Sequence, residues 1–452
     1  MTQQKNTRNR GVILTNSGIQ KFQTAKSQLE LATNEGKRYT LEDLSDRTGL
    51  AVDTLMKVIK CEVKVDKQTL KRCFNAFDLT LEPDDYFKPN LDLEERSPLT
   101  SLIDFGRDLE WPEGQVPLDS KFYLERSMFE WDESQESLEQ ICYQTILQPG
   151  SLIRIKAPRR MGKTSLIMRI LDYAANQNCR SVFLSFKLAD RQSFQNLDRF
   201  LRWFCANVSL EMQVSDRLGS YWNGLFGSKV SSKIYFEQYL LPQTHQPLIL
   251  GLDEIDSIFL YPDLAEEFFG LLRSWHELAK NQPIWKKLRL VIAHSTEVYI
   301  PLSVNSSPFN VGVPIELHQF NETRVLELAR RHELDWSIEQ VKQLTSWVGG
   351  MPYLIRLALY YLKSHNFSLE TLLSTEISFN VVYREHLQQQ LLSLKNTPQL
   401  ESTFARVIKS PQPIELDLIA SFKLQALGLI KLHNNLARPS CQLYRQYFSS
   451  CY

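Results

Sequence analysis

Between about Leu118 and Leu317 short apolar runs alternate with amphipathic stretches, the pattern of a parallel sheet covered by helices on both faces. Runs at 152–156, 180–186, 247–252 and 288–293 predict its strands. Leu248 to Leu252 is apolar without alternation, as a strand buried on both sides requires. Upstream, Leu41, Leu44, Leu50, Leu55 and Ile59 recur at helical spacing, Thr40 is placed to cap, and Gly49 offers a turn between two crossed helices. Residues 11–87 are therefore expected to be a small all-α helix-turn-helix domain. Acidic residues interspersed with Pro83, Pro89, Pro98 and Pro112 predict an extended acidic linker over 88–117. After Phe320 the pattern is helical. It ends in Leu429-Ile430-Lys431-Leu432, an Asn434-Asn435 turn and Leu436-Ala437-Arg438, a hairpin that suggests a winged helix. The expected division is 118–319 for an α/β core, 320–395 for a helical lid and 396–452 for the winged helix.

A chain of 452 residues exceeds what one core usually serves, in keeping with several domains. With 52 basic and 52 acidic residues there is no global field toward nucleic acid or membrane, so a charged partner is met locally. The seven cysteines are scattered, with no C-x-x-C pair, and neither a long apolar run nor a secretory signal is seen, so a reducing cytoplasmic setting is expected. No repeat of 20 to 50 residues is evident.

The chemistry concentrates after the first strand. Ser151 to Lys156 leads into Ala157-Pro158-Arg159-Arg160-Met161-Gly162-Lys163-Thr164 and then a helical stretch from Ser165. Strand, loop and helix in that order supply inward N–H groups and a positive helix start for phosphates, with the Lys163 ammonium reaching the terminal phosphates and the Thr164 hydroxyl on magnesium. Ala157 stands where a phosphate loop usually has its first glycine, so the backbone there must tolerate a Cβ. The apolar strand ending on Asp253-Glu254 places carboxylates beside that loop, Asp253 for magnesium and Glu254 for orienting and deprotonating water. A third strand ends on His294-Ser295-Thr296, and Ser295 or Thr296 is the expected sensor of the terminal phosphate. ATP and Mg2+ are the expected ligands.

At these residues the chain resembles the signal-transduction branch of the AAA-related ATPases, often called STAND, and more closely the AAA-like domain proteins common in cyanobacteria. The resemblance rests on Phe122-Tyr123-Leu124-Glu125-Arg126, the stretch Ala157 to Ser165, Leu252-Asp253-Glu254, Ser307 to Gly312 and Gly349-Gly350-Met351-Pro352-Tyr353, and covers about 115–450. It implies a switch that closes with ATP and relaxes after hydrolysis, with Tyr123, Arg126, Gly350 and Pro352 at the nucleotide. The amino-terminal part is similar to the helix-turn-helix module preceding such ATPases in proteins associated with MoxR and von Willebrand A partners. No arginine finger stands out among Arg159, Arg160, Arg324, Arg330, Arg331 and Arg356, which leaves the hydrolysis rate open.

Residues 1–80 carry 14 Lys and Arg against 9 Asp and Glu, a local excess that the neutral chain conceals. A recognition helix from Ala51 would present Val52, Asp53 and Lys57, yet Asp53 is repelled by phosphates and no Arg, Gln or Asn is there. A protein partner or self-association is favoured over DNA. Two alternatives to the ATP-driven switch stay open: a DNA-binding regulator with an ancillary ATP-binding module, and a scaffold that holds ATP without cleaving it.

Overall fold

The computed structural model describes residues 110–127, 136–295 and 308–452 throughout, and parts of 11–87. The chain divides into two compact units, Met1–Phe105 and Gly106–Tyr452.

In the first unit β1 (Gly11–Leu14) pairs antiparallel with β2 (Val65–Asp66) and β3 (Tyr86–Phe87), a small sheet that the helical periodicity of this region did not announce. Helix α1 (Leu41–Thr48) starts with a reciprocal cap: the Asp43 amide donates to Thr40 Oγ1 at 3.2 Å and the Thr40 amide to Asp43 Oδ2 at 2.8 Å. It stops at Gly49, whose left-handed backbone lets its amide reach the Ser45 carbonyl. Leu44, Leu55 and Val58 pack with Leu70 and Phe74 of α2 (Lys67–Asn75). Val52 and Asp53 of the expected recognition helix lie outside the described residues, and Lys57 is exposed.

The second unit is built on a five-stranded sheet in which every neighbouring pair is parallel. Its strands are β4 (Leu152–Lys156), β5 (Arg180–Ser185), β6 (Leu248–Asp253), β7 (Leu288–His294) and β8 (Val313–Glu316), in the order β5-β6-β7-β4-β8. The four expected strands are present. The fifth, β8, contains Pro314 and alternates between exposed and buried positions, so its run is too short and too polar to read as a strand, which suits an edge. Strands β6 and β7 are buried along their whole length. The sheet is covered by α3 (Leu138–Ile146) and α4 (Lys163–Asn176) packed with the later helices, and by α5 (Leu197–Glu211) and α6 (Pro262–Asn281) in a separate apolar cluster rich in aromatic rings. Gly251 is fixed by that packing, since a Cβ there would lie 2.9 Å from Ile167 and 3.0 Å from Leu171 of α4.

Helices α7 (Glu322–Arg331), α8 (Ile338–Val348), α9 (Pro352–His365) and α10 (Arg384–Lys395) follow the sheet. The chain then forms α11 (Pro398–Lys409), α12 (Leu418–Ala426), α13 (Gln442–Ser449) and a small sheet of β9 (Ile414–Glu415), β10 (Ile430–His433) and β11 (Leu436–Pro439), with β10 and β11 joined through Asn434 and Asn435 in positive φ. The expected linker is corrected at its end: residues 110–117 are not a free tether but pack on α4, where Arg169 donates to the carbonyls of Val116 and Pro117 at 3.0 and 2.6 Å. A guanidinium on main-chain carbonyls leaves no mark in composition. Residues 88–109 lie outside the described residues.

Candidate nucleotide site

The C-terminal ends of β4, β6 and β7 converge on one loop. Ala157 to Gly162 connects β4 to α4, with Arg160 at φ 64° and Gly162 at φ 94° in the left-handed region. Ala157 is not among the residues of positive φ, so its Cβ is accommodated where a glycine was expected. Its amide donates to the His294 carbonyl of β7 at 3.3 Å, which pins the loop to the sheet. A larger residue at Gly162 would be strained by its φ, and its Cβ would press on Arg126 Nη2 at 3.1 Å.

Lys163 is buried at the start of α4 and folds back on the loop, its ammonium donating to the carbonyls of Ala157 at 2.8 Å and Pro158 at 3.0 Å. Burial depresses its pKa to about 8, against the opposing pull of Asp256 and Asp253. Thr164 Oγ1 donates to Asp253 Oδ2 at 2.6 Å. Asp253 is itself buried at the end of β6, and desolvation raises its pKa although the Thr164 hydrogen bond and Lys163 oppose the rise. Glu254 sits in left-handed backbone at φ 57°, its amide on Asp253 Oδ1 at 2.9 Å. Its carboxylate accepts from Ser185 Oγ at 3.0 Å and pairs with Lys187. Ser295 is buried, and its amide donates to Asp256 Oδ1 at 2.7 Å; Thr296 lies outside the described residues.

Gly162 and Ser165, flanking Lys163-Thr164, form the floor of a cavity of about 390 Å³, a volume that suits a small organic ligand. Tyr123, Arg126, Arg160, Pro352 and Tyr353 line it, so the Tyr123–Arg126 segment and the start of α9 do meet at the loop. The Tyr123 hydroxyl donates to Glu139 at 2.7 Å, and the Arg169 guanidinium lies over its ring, 3.5 Å from the centroid. Arg126 donates through Nη2 to the Met161 carbonyl at 2.5 Å while its buried Nη1 has no partner. Gly350 does not line this cavity. It packs on Gln319 and Phe320, between β8 and α7, where a Cβ would lie 2.3 Å from the Phe320 carbonyl oxygen.

Several residues were not foreseen. Ser185 and Lys187 come from the neighbouring strand end and have no sequence signal linking them to Glu254. Asp256 did have one, as the third carboxylate of Asp253-Glu254-Ile255-Asp256. Arg159 and Arg160 turn out to bind toward the later helices: the Arg159 amide donates to the Ala426 carbonyl at 2.9 Å, and Arg160 donates to Gln389 Oε1 at 2.5 Å and contacts His386 Nδ1 at 2.5 Å.

The model of the family described as AAA-like domain matches residues 111–450, three quarters of the chain and every element of this site. The chain belongs to the AAA-like domain family. No curated protein matches it. Among solved structures it is similar to the Walker-type ATPase PABY2304 of Pyrococcus abyssi, at 11% identity and a TM-score of 0.48 over 73% of this chain and 99% of that one. It is also similar to the ORC2 protein of Aeropyrum pernix, at 14% identity and TM-score 0.40 over 72% and 96% of the two chains. A signal transduction ATPase with numerous domains and a tetratricopeptide repeat sensor, PH0952 of Pyrococcus horikoshii, aligns at 18% identity and TM-score 0.31 over 76% of this chain and 44% of its own. The AAA-like domain here has the α/β P-loop ATPase fold and is an ATPase-like, nucleotide-binding module. No described helix is long and apolar enough to cross a membrane.

Proposed function

We propose that this AAA-like domain protein is an ATP-binding, slowly hydrolysing switch of the signal-transduction type, acting in the cytoplasm on a protein partner or a second copy of itself. The observation that carries the reading is the cluster of Lys163, Thr164 and Asp253 where α4 begins, next in the chain to Gly162 and Ser165, which line a cavity together with Arg160 of the loop and Pro352 and Tyr353 of α9. Loop and α4 amides with Lys163 would hold the phosphates, and Tyr123, Arg126 and Pro352 the nucleoside. Among the described residues no group of three or more His, Cys, Asp or Glu is gathered to cage a metal. One hydroxyl and one carboxylate fit magnesium, which keeps waters and takes substrate phosphate oxygens. Thr164 and Asp253 would hold it, and when bound it neutralises charge on the transferred phosphoryl group.

Glu254 is the base for water, with Ser295 or Thr296 sensing the terminal phosphate. In the form described, the ties from Ser185 and Lys187 restrain Glu254, which favours slow turnover. The helices 320–395 act as the lid and 396–452 as the winged helix, whose position the nucleotide state would set by its differential affinity for the closed form. The amino-terminal helix-turn-helix is assigned to protein contact, since no specific observation favours DNA.

Binding of a labelled ATP analogue to the Lys163→Ala variant is the test. Loss of a buried cation from the phosphates should weaken affinity by at least tenfold. Undiminished binding would remove the site assignment. Glu254→Gln should keep binding and lose phosphate release; equal turnover in that variant would remove Glu254 as the base, whereas no phosphate release from the wild type under multiple turnover would leave the protein a scaffold that holds ATP.

A further inference from the structure

Residues Glu110 to Leu118 cross the mouth of the cavity as a strap tied at both ends. On the α4 side the Val116 amide donates to Ser165 Oγ at 2.9 Å, and the largely buried Arg169 holds the carbonyls of Val116 and Pro117. On the α9 side Arg356 donates through Nη2 to Glu110 Oε1 at 2.6 Å, and the Trp111 ring stands edge-on to Tyr360 and Tyr361 at centroid distances of 4.8 and 6.0 Å. Between these anchors Trp111, Pro112, Glu113 and Gly114 form a wall of the same cavity whose floor is Gly162 and Ser165. Gly114 at φ 63° supplies the bend.

The two anchors differ in exposure. Arg169, on the helix that follows the phosphate loop, donates to the strap carbonyls of Val116, Pro117 and Leu118 at 3.0, 2.6 and 3.5 Å. Arg356 Nη2 donates to Glu110 Oε1 at 2.6 Å and to the Glu110 carbonyl at 3.4 Å, and Ser120 Oγ donates to the other carboxylate oxygen; side-chain exposures are 30% for Glu110 and 8% for Arg356, and the Nε of Arg356 is buried without a partner. Arg356 also lines the cavity and lies over the Phe122 ring at 4.9 Å. The α9 anchor is the more exposed of the two.

We infer that Glu110–Val116 is the outer wall of the nucleoside subsite, with Trp111 beside the bound sugar and base and the Glu110–Arg356 pair setting how long a ribonucleoside triphosphate stays. This rests on the nucleotide reading of the site. Trp111 and the pair are positioning residues: they govern residence, while the phosphate contacts govern capture. Their loss therefore raises the release rate and leaves the association rate nearly unchanged.

The experiment uses the full chain with ATP carrying an N-methylanthraniloyl group on its ribose, followed by stopped flow with tryptophan excitation. Of the chain's eight tryptophans, Trp111 is the one that lines the cavity among the described residues, so Trp111→Phe should lose more than half of the energy transfer at full occupancy. Glu110→Gln and Arg356→Gln should each speed release on the order of tenfold, as truncating one partner of a mostly buried ion pair does. The exchanged double variant, Glu110→Arg with Arg356→Glu, should return release toward the wild-type rate. Unaltered energy transfer in Trp111→Phe overturns the inference while leaving the nucleotide site intact, and so does unaltered release in both single variants. Wild-type protein that fails to bind the analogue overturns both readings.

Discussion

Because Lys163 rests on the Ala157 and Pro158 carbonyls and is depressed to about pKa 8 by burial, nucleotide binding should be linked to proton uptake. Phosphates arriving at the loop replace neutral carbonyls with negative charge and hold the ammonium protonated. In the free protein the protonated fraction is about nine-tenths at pH 7, about half at pH 8 and about one-tenth at pH 9, by the titration of a single group. If the bound form stays protonated across this range, uptake is about half a proton at pH 8 and apparent affinity falls about tenfold from pH 7 to pH 9. Above pH 8 the triphosphate itself is already fully ionised, so its own titration does not mask the effect. Calorimetry at pH 8 in two buffers of different ionisation enthalpy measures the uptake, and Lys163→Ala should bind weakly without it. Affinity that is flat between pH 7 and pH 9, with no buffer dependence of the heat, would refute the argument. The stability consequence has the same origin. The folded-state pKa lies below the ordinary value of 10.5, so between about pH 8 and 10.5 the unfolded chain binds more protons at this group, and its contribution to stability rises with pH across that window.

Lys187→Ala should release Glu254 from its ion pair, and phosphate release should increase several-fold with nucleotide affinity unchanged; no change in turnover would show that the pair does not restrain the carboxylate. Gly350→Ala should act on stability rather than on the nucleotide, because its Cβ would lie 2.3 Å from the Phe320 carbonyl oxygen and 2.8 Å from Gln319 Cβ. Overpacking of this kind costs about 1 to 3 kcal/mol, so the melting temperature should fall by several degrees, and an unshifted melting curve would contradict the packing.

The parallel sheet was legible because buried strands such as Leu248 to Asp253 carry unbroken apolar runs that end on charged residues. The phosphate loop was legible for a related reason, since its order of strand, loop and helix is local in sequence. What escaped is short or non-local. Strands of two residues, as in Val65–Asp66 and Tyr86–Phe87, have no period to detect. Strand β8 with its proline shows only half of an edge pattern. The strap was read as linker because its prolines and acids fit one, whereas its hold depends on backbone carbonyls facing Arg169 and on one carboxylate facing Arg356. Glu254 was identified as the acid beside the loop, yet its partners Ser185 and Lys187 lie nearly seventy residues away, adjacent only once β5 pairs with β6.

The loop's charged residues divide the work in a way that bears on coupling. Lys163 points back to the carbonyls of its own loop, whereas Arg160 leaves the loop for α10, donating to Gln389, contacting His386 and lying 4.3 Å from the centroid of the Tyr353 ring. His386 is buried with its pKa lowered to about 3 by desolvation, so it is neutral at ordinary pH and serves Arg160 as a hydrogen-bond partner rather than as a second charge. Its other nitrogen contacts the Tyr444 hydroxyl of α13 at 2.6 Å, which carries the link into the C-terminal helices. The Arg159 amide and the Ala426 carbonyl make a second, separate link from the loop to the end of α12. A phosphate that orders the loop in the conformation these links require would favour both at once. At about 1 kcal/mol net for each such hydrogen bond, two or three made only when the later helices lie against the loop would bias a balanced equilibrium toward the closed form by one to two orders of magnitude. That is within the range by which one ligand can move a lid, so the coupling needs no rearrangement of the sheet itself, whose buried strands and crossing helices are packed too closely to share in it.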